Sequence, residues 1–178
     1  MRRERAEALA RELEDAGFAL DASPFRRGTV ACTGSEFCKL ALTETKGFAR
    51  GLVERLEQRL PRFDEPLRIN VTGCPNSCGQ HWIADLGIEG KKVKVGGAVG
   101  RHQAVARPIG LRLAATEIAP AIERLLRAFQ AERREGENFR QFAARHTDEE
   151  LRARLAGELV EAVARDVASE PPPHGVDG

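Results

Sequence analysis

The stretch TGCPNSCGQ, residues 72–80, contains two of the four cysteines in a chain of 178 residues. Cys74 and Cys78 are separated by three residues, in a run of glycine, proline and asparagine that is typical of a turn. The other two cysteines, Cys32 and Cys38, are separated by five residues in ACTGSEFC. Because each pair follows a short strand-like segment, the sequence predicts two loops that each present two thiols.

The composition describes a nearly neutral chain, with 28 Lys and Arg against 27 Asp and Glu. It lacks the basic excess of a typical nucleic-acid-binding protein. The opening MRRERAEALARELEDAG does not resemble a secretory signal, and no apolar stretch approaches the length of a membrane span. We therefore expect a cytoplasmic protein that binds neither nucleic acid nor membranes. In that reducing compartment, closely spaced cysteines favour metal ligation or redox chemistry over disulfides.

The first hundred residues alternate helical and strand-like patterns. Residues 3–16 form an amphipathic helical pattern that Gly17 ends. Helical spacing resumes at Glu36 and continues to Pro61, which would place Cys38 near a helix N-terminus. Strands are expected in GTVAC (28–32), LRINVT (67–72), WIADLGI (82–88) and KKVKVGGAVG (91–100), with a turn at 87–90. LRINVT alternates apolar and polar residues and should be half-buried.

A second helical region follows Arg101. Thr116 is the expected N-cap of its first helix, in which Pro120 is compatible only with the first turn or its vicinity. Thr147 and Glu150 match a capping box at the start of a final helix. The apolar face of that helix is predicted to contain Leu151, Leu155, Leu159 and Val163. Together these patterns predict mixed α and β structure in the first hundred residues, followed by a helical region.

Four thiolates on two loops are compatible with several kinds of site. Paired zinc-binding cysteines usually enclose two residues, and neither pair has that spacing. Disulfides are disfavoured by the compartment, and four unrelated buried cysteines would not explain the turn sequences around both pairs. A [4Fe–4S] cluster requires four thiolates held by loops. The pattern favours a cluster over zinc, although both remain open from spacing alone.

The residues around the cysteines suit a negatively charged cluster. Three glycines allow backbone N–H groups to approach it: Gly34, Gly73 and Gly79. Thr72, Asn76 and Ser77 offer hydrogen-bond donors, although turn chemistry is the preferred interpretation of Asn76 and Ser77. We interpret His81 as a structural histidine and Trp82 as a core residue.

With these spacings, ACTGSEFC and TGCPNSCGQ resemble the paired cysteine signature of siroheme-dependent nitrite and sulfite reductases. The resemblance extends from about residue 23 through VGGAVG, and more loosely through GENFRQFAARHTDEEL. It implies that Cys32, Cys38 and Cys74 bind a [4Fe–4S] cluster. It further implies that Cys78 binds both the cluster and, as axial ligand, the siroheme iron.

The same resemblance implies a reaction and an electron donor. Family members reduce nitrite to ammonium or sulfite to sulfide with six electrons, which a ferredoxin-like protein supplies one at a time. The residues TGSEFC, ALTETK and SCGQ look more like the nitrite branch, so nitrite is the expected substrate. VGGAVG lacks the dinucleotide fingerprint and is interpreted as a strand with tight turns.

The resemblance also implies an α+β fold, in which a mixed sheet has flanking helices and is followed by a C-terminal helical extension. It further implies a division of the chain into segments. Residues 1–22 would be the remnant of a preceding ferredoxin-like half-domain, and residues 23–115 the domain that binds cluster and siroheme. A helical extension over 116–168 and a disordered tail over 169–178 would follow. Family members are pseudo-symmetric and several times longer, and their anion-binding residues come largely from the half that this chain lacks. We therefore expect an incomplete enzyme that needs a separate N-terminal half.

The alternative of another class is a non-catalytic domain held together by zinc or a cluster, or an inactive fragment. Basic residues follow the glycine-rich strand and Cys38, and they are candidates for contacts with siroheme carboxylates: Arg101, His102, Arg107, Arg112, Lys39 and Lys46. A solvated basic loop is the preferred interpretation of the first four. The two lysines are left without a role.

Overall fold

The computed structural model describes residues 3–18, 20–100 and 103–157 of the chain. These residues form six α-helices, one 3₁₀ turn and five strands. In chain order the elements are α1 (Arg3–Asp15), α2 (Pro24–Gly28), β1 (Thr29–Ala31), α3 (Lys46–Arg59), β2 (Ile69–Thr72), a 3₁₀ turn (His81–Ile83), β3 (Leu86–Glu89), β4 (Lys92–Val95), β5 (Arg107–Arg112), α4 (Ala115–Glu132), α5 (Phe139–Arg145) and α6 (Asp148–Ala156). Among them, no helix is both long enough and apolar enough to cross a bilayer.

The five strands form a single mixed sheet in the order β1-β2-β3-β4-β5. β1 pairs parallel with β2, and β2 pairs parallel with β3. β3, β4 and β5 continue the sheet with antiparallel pairing. Because parallel neighbours need a crossover, α3 lies in the connection between β1 and β2. The predicted α+β fold with a mixed sheet and flanking helices is confirmed.

One hydrophobic core contains residues of the sheet, of α3 and of the helices that follow the sheet in the sequence. Strand residues such as Val71 and Ile88 pack in the same core as Leu52 of α3 and Phe129 of α4. The C-terminal helices also enter this core, because Phe129 packs edge-on against Phe142 of α5 with ring centroids 5.4 Å apart. The helices after residue 115 are therefore part of the packing that supports the sheet.

The predicted helix starting at Glu36 is wrong over its first part. α3 begins at Lys46, and Cys38 lies in a turn in which its N–H donates to the Gly34 carbonyl at 2.9 Å. The apolar residues of this segment are exposed, so they offer no helical face to the core. The carboxylate of Glu44 accepts hydrogen bonds from the first N–H groups of α3 and thereby marks the true start of the helix.

The predicted half-burial of LRINVT is also wrong, because all four residues of β2 are buried. The Asn70 amide donates to the Gln80 carbonyl at 3.1 Å, and the Thr72 hydroxyl accepts from the Gly79 N–H at 3.1 Å. The alternation of polar and apolar residues is real. Its polar face is covered by the segment that contains the second cysteine pair.

The region after this segment differs from the predicted strand WIADLGI. Its first residues form the 3₁₀ turn, and β3 begins only at Leu86. Gly87 lies inside β3, so the turn to β4 is at Gly90, which has a φ of +56°. A Cβ atom on Gly87 would lie 2.0 Å from the His81 carbonyl oxygen. Glycine at this position allows the 3₁₀ turn to pack directly on the strand.

The C-terminal predictions are partly confirmed. Ala114 rather than Thr116 precedes α4, and Pro120 lies in the second turn of the helix. The capping box of Thr147 and Glu150 is present at α6, and Leu151 and Leu155 are buried. The predicted residues Leu159 and Val163 and the predicted tail lie outside the described residues. The sequence analysis missed two elements, α2 and β5.

Replacement of Gly87 by Ala should destabilise the fold, because the new methyl group would overlap the carbonyl of His81. We expect a loss of about 1–3 kcal/mol in the free energy of unfolding, measured by urea denaturation. Gly51→Ala is the matched control, since a Cβ atom at this exposed position in α3 meets no atom within 4 Å. That variant should gain about 0.5–1 kcal/mol. Equal stabilities of the two variants would contradict the packing described for β3.

Replacement of Asp85 by Asn should stabilise the protein at neutral pH. The carboxylate accepts a hydrogen bond from the Arg68 N–H at 2.9 Å, but burial dominates and raises its pKa. A raised pKa contributes stability that is fully present below the pKa of the unfolded chain and is lost as the pH rises through the pKa of the folded state. Asn retains the acceptor without the charge, so its advantage should appear at pH 7 and shrink below about pH 4.

Denaturation curves at the two pH values test this expectation. Asp64→Asn is the control, because hydrogen bonding to Arg133 lowers the pKa of the exposed Asp64 carboxyl. For Asp64 the sign is opposite, and neutralisation should not stabilise the protein at pH 7. A variant of Asp85 that is less stable than the parent at pH 7 would overturn the assignment.

Candidate functional site

Two loops leave the same edge of the sheet, and each contains two cysteines. We call residues 32–43 the first cysteine loop and residues 73–80 the second cysteine loop. The first begins where the Cys32 N–H donates to the Val71 carbonyl at 3.0 Å and so continues the pairing of β1 with β2. The Leu42 N–H then donates to the Gly73 carbonyl at 2.9 Å. The bond from Leu42 to Gly73 joins the two loops near the end of the first, whereas the bond from Cys32 ties the start of the first to β2.

Cys32 lies where the two loops meet. Its Sγ accepts a hydrogen bond from the Gly73 N–H at 3.3 Å, and the Thr45 hydroxyl lies 3.7 Å from the same sulfur. Burial of the thiol acts to raise its pKa, but hydrogen bonds from Gly73, Gly34 and nearby threonine hydroxyls together lower it. The surroundings therefore favour the thiolate, which is the form of cysteine that binds metal.

Gly34 and Thr45 fix the backbone around this sulfur. Gly34 has a φ of +74°, and a Cβ atom there would lie 2.6 Å from the Thr45 hydroxyl oxygen. That hydroxyl is fully buried and donates to the Cys32 carbonyl at 2.6 Å. The residue that precedes α3 therefore holds the start of the first cysteine loop in place.

The second cysteine loop is short and backbone-strained. Ser77 and Gln80 have φ values of +60° and +55°, in the left-handed region that favours glycine. Gly79 lies so close to β2 that a Cβ atom would approach the Val71 carbonyl oxygen to 2.3 Å. This tight path leaves Cys74 buried and Cys78 exposed.

The four cysteines are free thiols that differ in exposure. Cys32 and Cys38 are half-buried, which places their exposure between that of the buried Cys74 and the exposed Cys78. Within the described residues, no three His, Cys, Asp or Glu side chains are grouped as one metal ion would require. A four-iron cluster does not need such a group, because each thiolate binds a different iron. Four thiols on two hydrogen-bonded loops are a donor set that fits such a cluster.

An exposed apolar surface adjoins Cys38. Phe37, Leu40 and Leu42 in the first cysteine loop are 70%, 67% and 79% exposed. Three large apolar side chains exposed on one short loop are typical of a surface that a ligand or another polypeptide covers. We call these three residues the apolar rim.

The basic residues considered as siroheme contacts have different roles. Arg101 and His102 lie outside the described residues. Arg107 lies in β5 rather than in a solvated loop, and its guanidinium donates to the carbonyls of Ala143 and His146. Arg112 is exposed in β5 opposite Lys92.

The two lysines near the first cysteine loop are both on the surface. Lys39 is exposed, and the Lys46 ammonium lies 5.3 Å from the centroid of the Phe37 ring. Lys46 is thus close to the apolar rim. The positions of these two lysines do not indicate that either one contacts a cofactor.

The sequence analysis missed a buried cation next to the second cysteine loop. Lys94 is 2% exposed, and its ammonium contacts His81, which is 1% exposed. The predicted core residue Trp82 is instead 38% exposed, with the Lys94 ammonium 3.3 Å above its ring. The alternation KVKV gave no signal of this burial, because an exposed strand face would contain the same residues.

Comparison with known proteins identifies the family. Residues 22–162 match the family model described as the nitrite and sulphite reductase 4Fe-4S domain. The chain belongs to this family. The resemblance inferred from the two cysteine motifs is therefore confirmed.

The relatives include reductases for both anions. The chain is 38% identical over 158 residues to sulfite reductase [ferredoxin] 2 of Mycolicibacterium paratuberculosis, an alignment that covers 79% of this chain and 28% of that protein. It is 39% identical over 134 residues to the assimilatory ferredoxin-dependent nitrite reductase of Haloferax mediterranei, covering 67% of this chain and 23% of the relative.

A solved structure supports the same relationship. The NirA protein of Mycobacterium tuberculosis superposes with a TM-score of 0.74 at 33% sequence identity, over 85% of this chain and 31% of NirA. The chain thus spans less than a third of the length of each of these three relatives.

Replacement of Thr45 by Val should make the Cys32 thiol of the metal-free protein less reactive at pH 7. The Thr45 hydroxyl donates its one hydrogen to the Cys32 carbonyl at 2.6 Å, and it can turn to the sulfur 3.7 Å away when the thiol loses its proton, which lowers the pKa of Cys32. Valine cannot make either hydrogen bond. We expect slower alkylation of Cys32 by iodoacetamide, measured by mass spectrometry, and a stability loss of about 1 kcal/mol. The control is Thr43→Val, since the Thr43 hydroxyl makes no side-chain hydrogen bond with the described residues. Unchanged alkylation of Cys32 in Thr45→Val would contradict the proposed stabilisation of the thiolate.

Proposed function

We propose that this chain is the cluster- and siroheme-binding module of a ferredoxin-dependent nitrite reductase. The observation that supports this proposal is the pair of hydrogen-bonded cysteine loops at one edge of the sheet, in a member of the reductase family. Cys32, Cys38 and Cys74 would bind a [4Fe–4S] cluster, and Cys78 would bind both the cluster and the siroheme iron. When bound, the two cofactors supply one-electron transfer to an anion held on the haem iron.

The chain's own residues fit these roles. A thiolate cluster is net negative, and the Gly73 N–H already donates to the sulfur of Cys32. Cys78 is the exposed cysteine, so its thiolate is accessible to a second group outside the loops. The neighbouring apolar rim offers Phe37 and Leu40 to a large apolar ring system.

Catalysis needs residues beyond the described part of this chain. An anion reduced on iron requires a positively charged pocket that also delivers protons. Arg107, one basic residue in a suitable part of the sequence, is instead bonded to the carbonyls of α5 and the residue after it. We propose that polypeptide equivalent to the remainder of the relatives supplies the anion-binding residues and covers the siroheme.

The division of the chain into an N-terminal remnant, a cofactor domain and a helical extension belongs to the same proposal. The electron donor is proposed from the relatives, whose names describe them as dependent on ferredoxin. Sulfite is the second candidate substrate, because five ferredoxin-type sulfite reductases align over 79–84% of this chain. Nitrite is supported by the motif TGSEFC and by relatives that reduce nitrite.

Anaerobic purification separates the redox proposal from a zinc-bound domain without catalysis. We expect brown protein with iron and acid-labile sulfide in nearly equal amounts. Colourless protein with one zinc ion per chain would overturn the redox proposal. Protein without metal, with free thiols and exposed apolar surface, would instead indicate an inactive fragment.

The roles of the cysteines predict different losses on substitution. In the chain combined with polypeptide equivalent to the rest of its relatives, Cys78→Ser should disturb the cluster and siroheme together. Cys32→Ser should reduce cluster content first and siroheme only through lost structure. Iron, sulfide and siroheme absorption are measured for each variant. Retention of a coupled siroheme spectrum in Cys78→Ser would show that the bridging assignment is wrong.

Reduction of nitrite should also require this chain together with polypeptide equivalent to the rest of its relatives. We expect the chain alone to show no enzyme-like turnover with a strong reductant, and the combination to restore siroheme retention and nitrite reduction together. Turnover by the isolated chain would contradict the proposed incompleteness. Activity with sulfite but not nitrite would retain the cofactors and reverse the substrate.

A further inference from the structure

A chain of polar side chains runs from the second cysteine loop into the interior. The Ser77 hydroxyl oxygen lies 3.0 Å from Nδ1 of His81, and Nε2 of His81 contacts the ammonium of Lys94. The same ammonium lies 2.8 Å from Oε2 of Glu89. His81 and Lys94 are almost fully buried. Ser77, which precedes Cys78 in the sequence, is half-buried.

The Lys94 ammonium at the inner end sets the direction of the hydrogen bonds along this row of side chains. A lysine ammonium donates hydrogen bonds and cannot accept them, so Nε2 of His81 must be the acceptor. The charge is balanced by Glu89 and by the face of Trp82, which holds the ammonium in place. Glu89 lies 3.5 Å from Nε2, and this longer contact competes weakly with Lys94.

The protonation state and tautomer of His81 determine whether the Ser77 hydroxyl donates or accepts the hydrogen bond between them. Burial and the charge of Lys94 lower the pKa of His81, which favours the neutral ring. A neutral imidazole that accepts at Nε2 has its hydrogen on Nδ1, and this N–H donates to the Ser77 oxygen. The hydroxyl hydrogen of Ser77 is therefore left free. Among the described residues, the Ser77 hydroxyl has no other side-chain or backbone partner.

This arrangement is costly for a loop with no further role. Ser77 adopts a φ of +60°, which glycine or asparagine would tolerate better. Lys94 is a buried ammonium, although an apolar residue at this strand position would avoid its desolvation. A strained residue and a buried charge that act on the same hydroxyl indicate a functional constraint on that hydroxyl.

We propose that Lys94 and His81 are positioning residues that fix the Ser77 hydroxyl as a hydrogen-bond donor beside Cys78, where it raises the reduction potential of the bound cluster. The inference rests on the proposed function, because it requires a cluster at the four cysteines. Hydrogen bonds to cluster sulfurs stabilise the reduced state, which carries one more negative charge. The donor must be free of His81 to act in this way, and the direction set by Lys94 frees it.

Redox titration of the cluster-loaded chain, followed by visible and EPR spectra, tests the proposal. Ser77→Ala and Lys94→Met should each make cluster reduction roughly tenfold less favourable, which equals about 59 mV for one electron. Ser77→Gly should match Ser77→Ala, since it relieves the backbone strain but also lacks the hydroxyl. The double variant Ser77→Ala/Lys94→Met should shift no further than Ser77→Ala, because both changes act through one hydroxyl.

Lys92→Met is the matched control. Lys92 lies in the same strand and 3.8 Å from Glu89, but its side chain is half exposed and has no contact with His81. The potential of this variant should equal that of the parent. A shift as large as that of Lys94→Met would mean that lost positive charge, not hydrogen-bond direction, sets the potential, and would overturn the proposal.

The tautomer of His81 provides a readout that needs no cluster. In ¹⁵N spectra of the metal-free protein, Nδ1 should carry the hydrogen, and Lys94→Met should transfer population to the Nε2–H form. If Lys94→Met does not fold, Lys94→Arg retains the donor and should preserve both the tautomer and the potential. Hydrogen on Nε2 in the parent would overturn the proposed direction.

The outcomes separate this inference from the proposed function. Parent protein without iron and sulfide contradicts the proposed function and the potential shift together. Parent protein with a full cluster whose potential is unchanged in Ser77→Ala contradicts only the role of Ser77. A shift in Ser77→Ala without any shift in Lys94→Met would leave Ser77 as a donor and overturn the positioning role of Lys94.

Discussion

The site depends on the parallel pairing of β1 with β2. This pairing places the ends of both strands at one edge of the sheet, where each strand continues into a cysteine loop. The ladder extends one residue further, from the Cys32 N–H to the Val71 carbonyl, and the Gly73 N–H then turns to the sulfur of Cys32. Cys32 and Gly73, which are 41 positions apart in the sequence, thus come into contact through ordinary strand geometry.

Close backbone packing holds the second cysteine loop against the sheet. Gly79 and Gly87 each allow a carbonyl group to approach where a side chain would overlap it. The loop in turn covers the polar face of β2, so that Asn70 and Thr72 bond to it instead of to water. Buried polar groups are tolerated only when they are bonded, and here the bonding partners are the loop's own backbone groups. The loop and the strand therefore support each other.

The sheet and its helices share a well-packed core, whereas the surface beside the cysteines exposes large apolar side chains. The described helices after residue 115 pack in one core with the sheet, and a capping box stabilises the start of α6. The edge that carries the cysteines instead exposes the apolar rim. A fold that is well packed around its sheet and apolar at the edge that carries the cysteines is consistent with the proposal that a cofactor and further polypeptide bind there.

The amino-acid sequence is sufficient to predict the two cysteine pairs, the alternation of helices and strands, the capping box at Thr147 and the resemblance to the reductase family. These features depend on local spacing and local turn chemistry, which a single segment contains. The sequence did not predict that the segment after Cys38 is non-helical, because its apolar spacing suits a helix and only the absence of a facing surface prevents one. It likewise did not predict the burial of Lys94, since the same alternation describes an exposed strand. Lys94 is buried because the 3₁₀ turn after the second cysteine loop covers this face of the sheet. Contacts of this kind join segments that are distant in the sequence, so they become visible only in the folded chain.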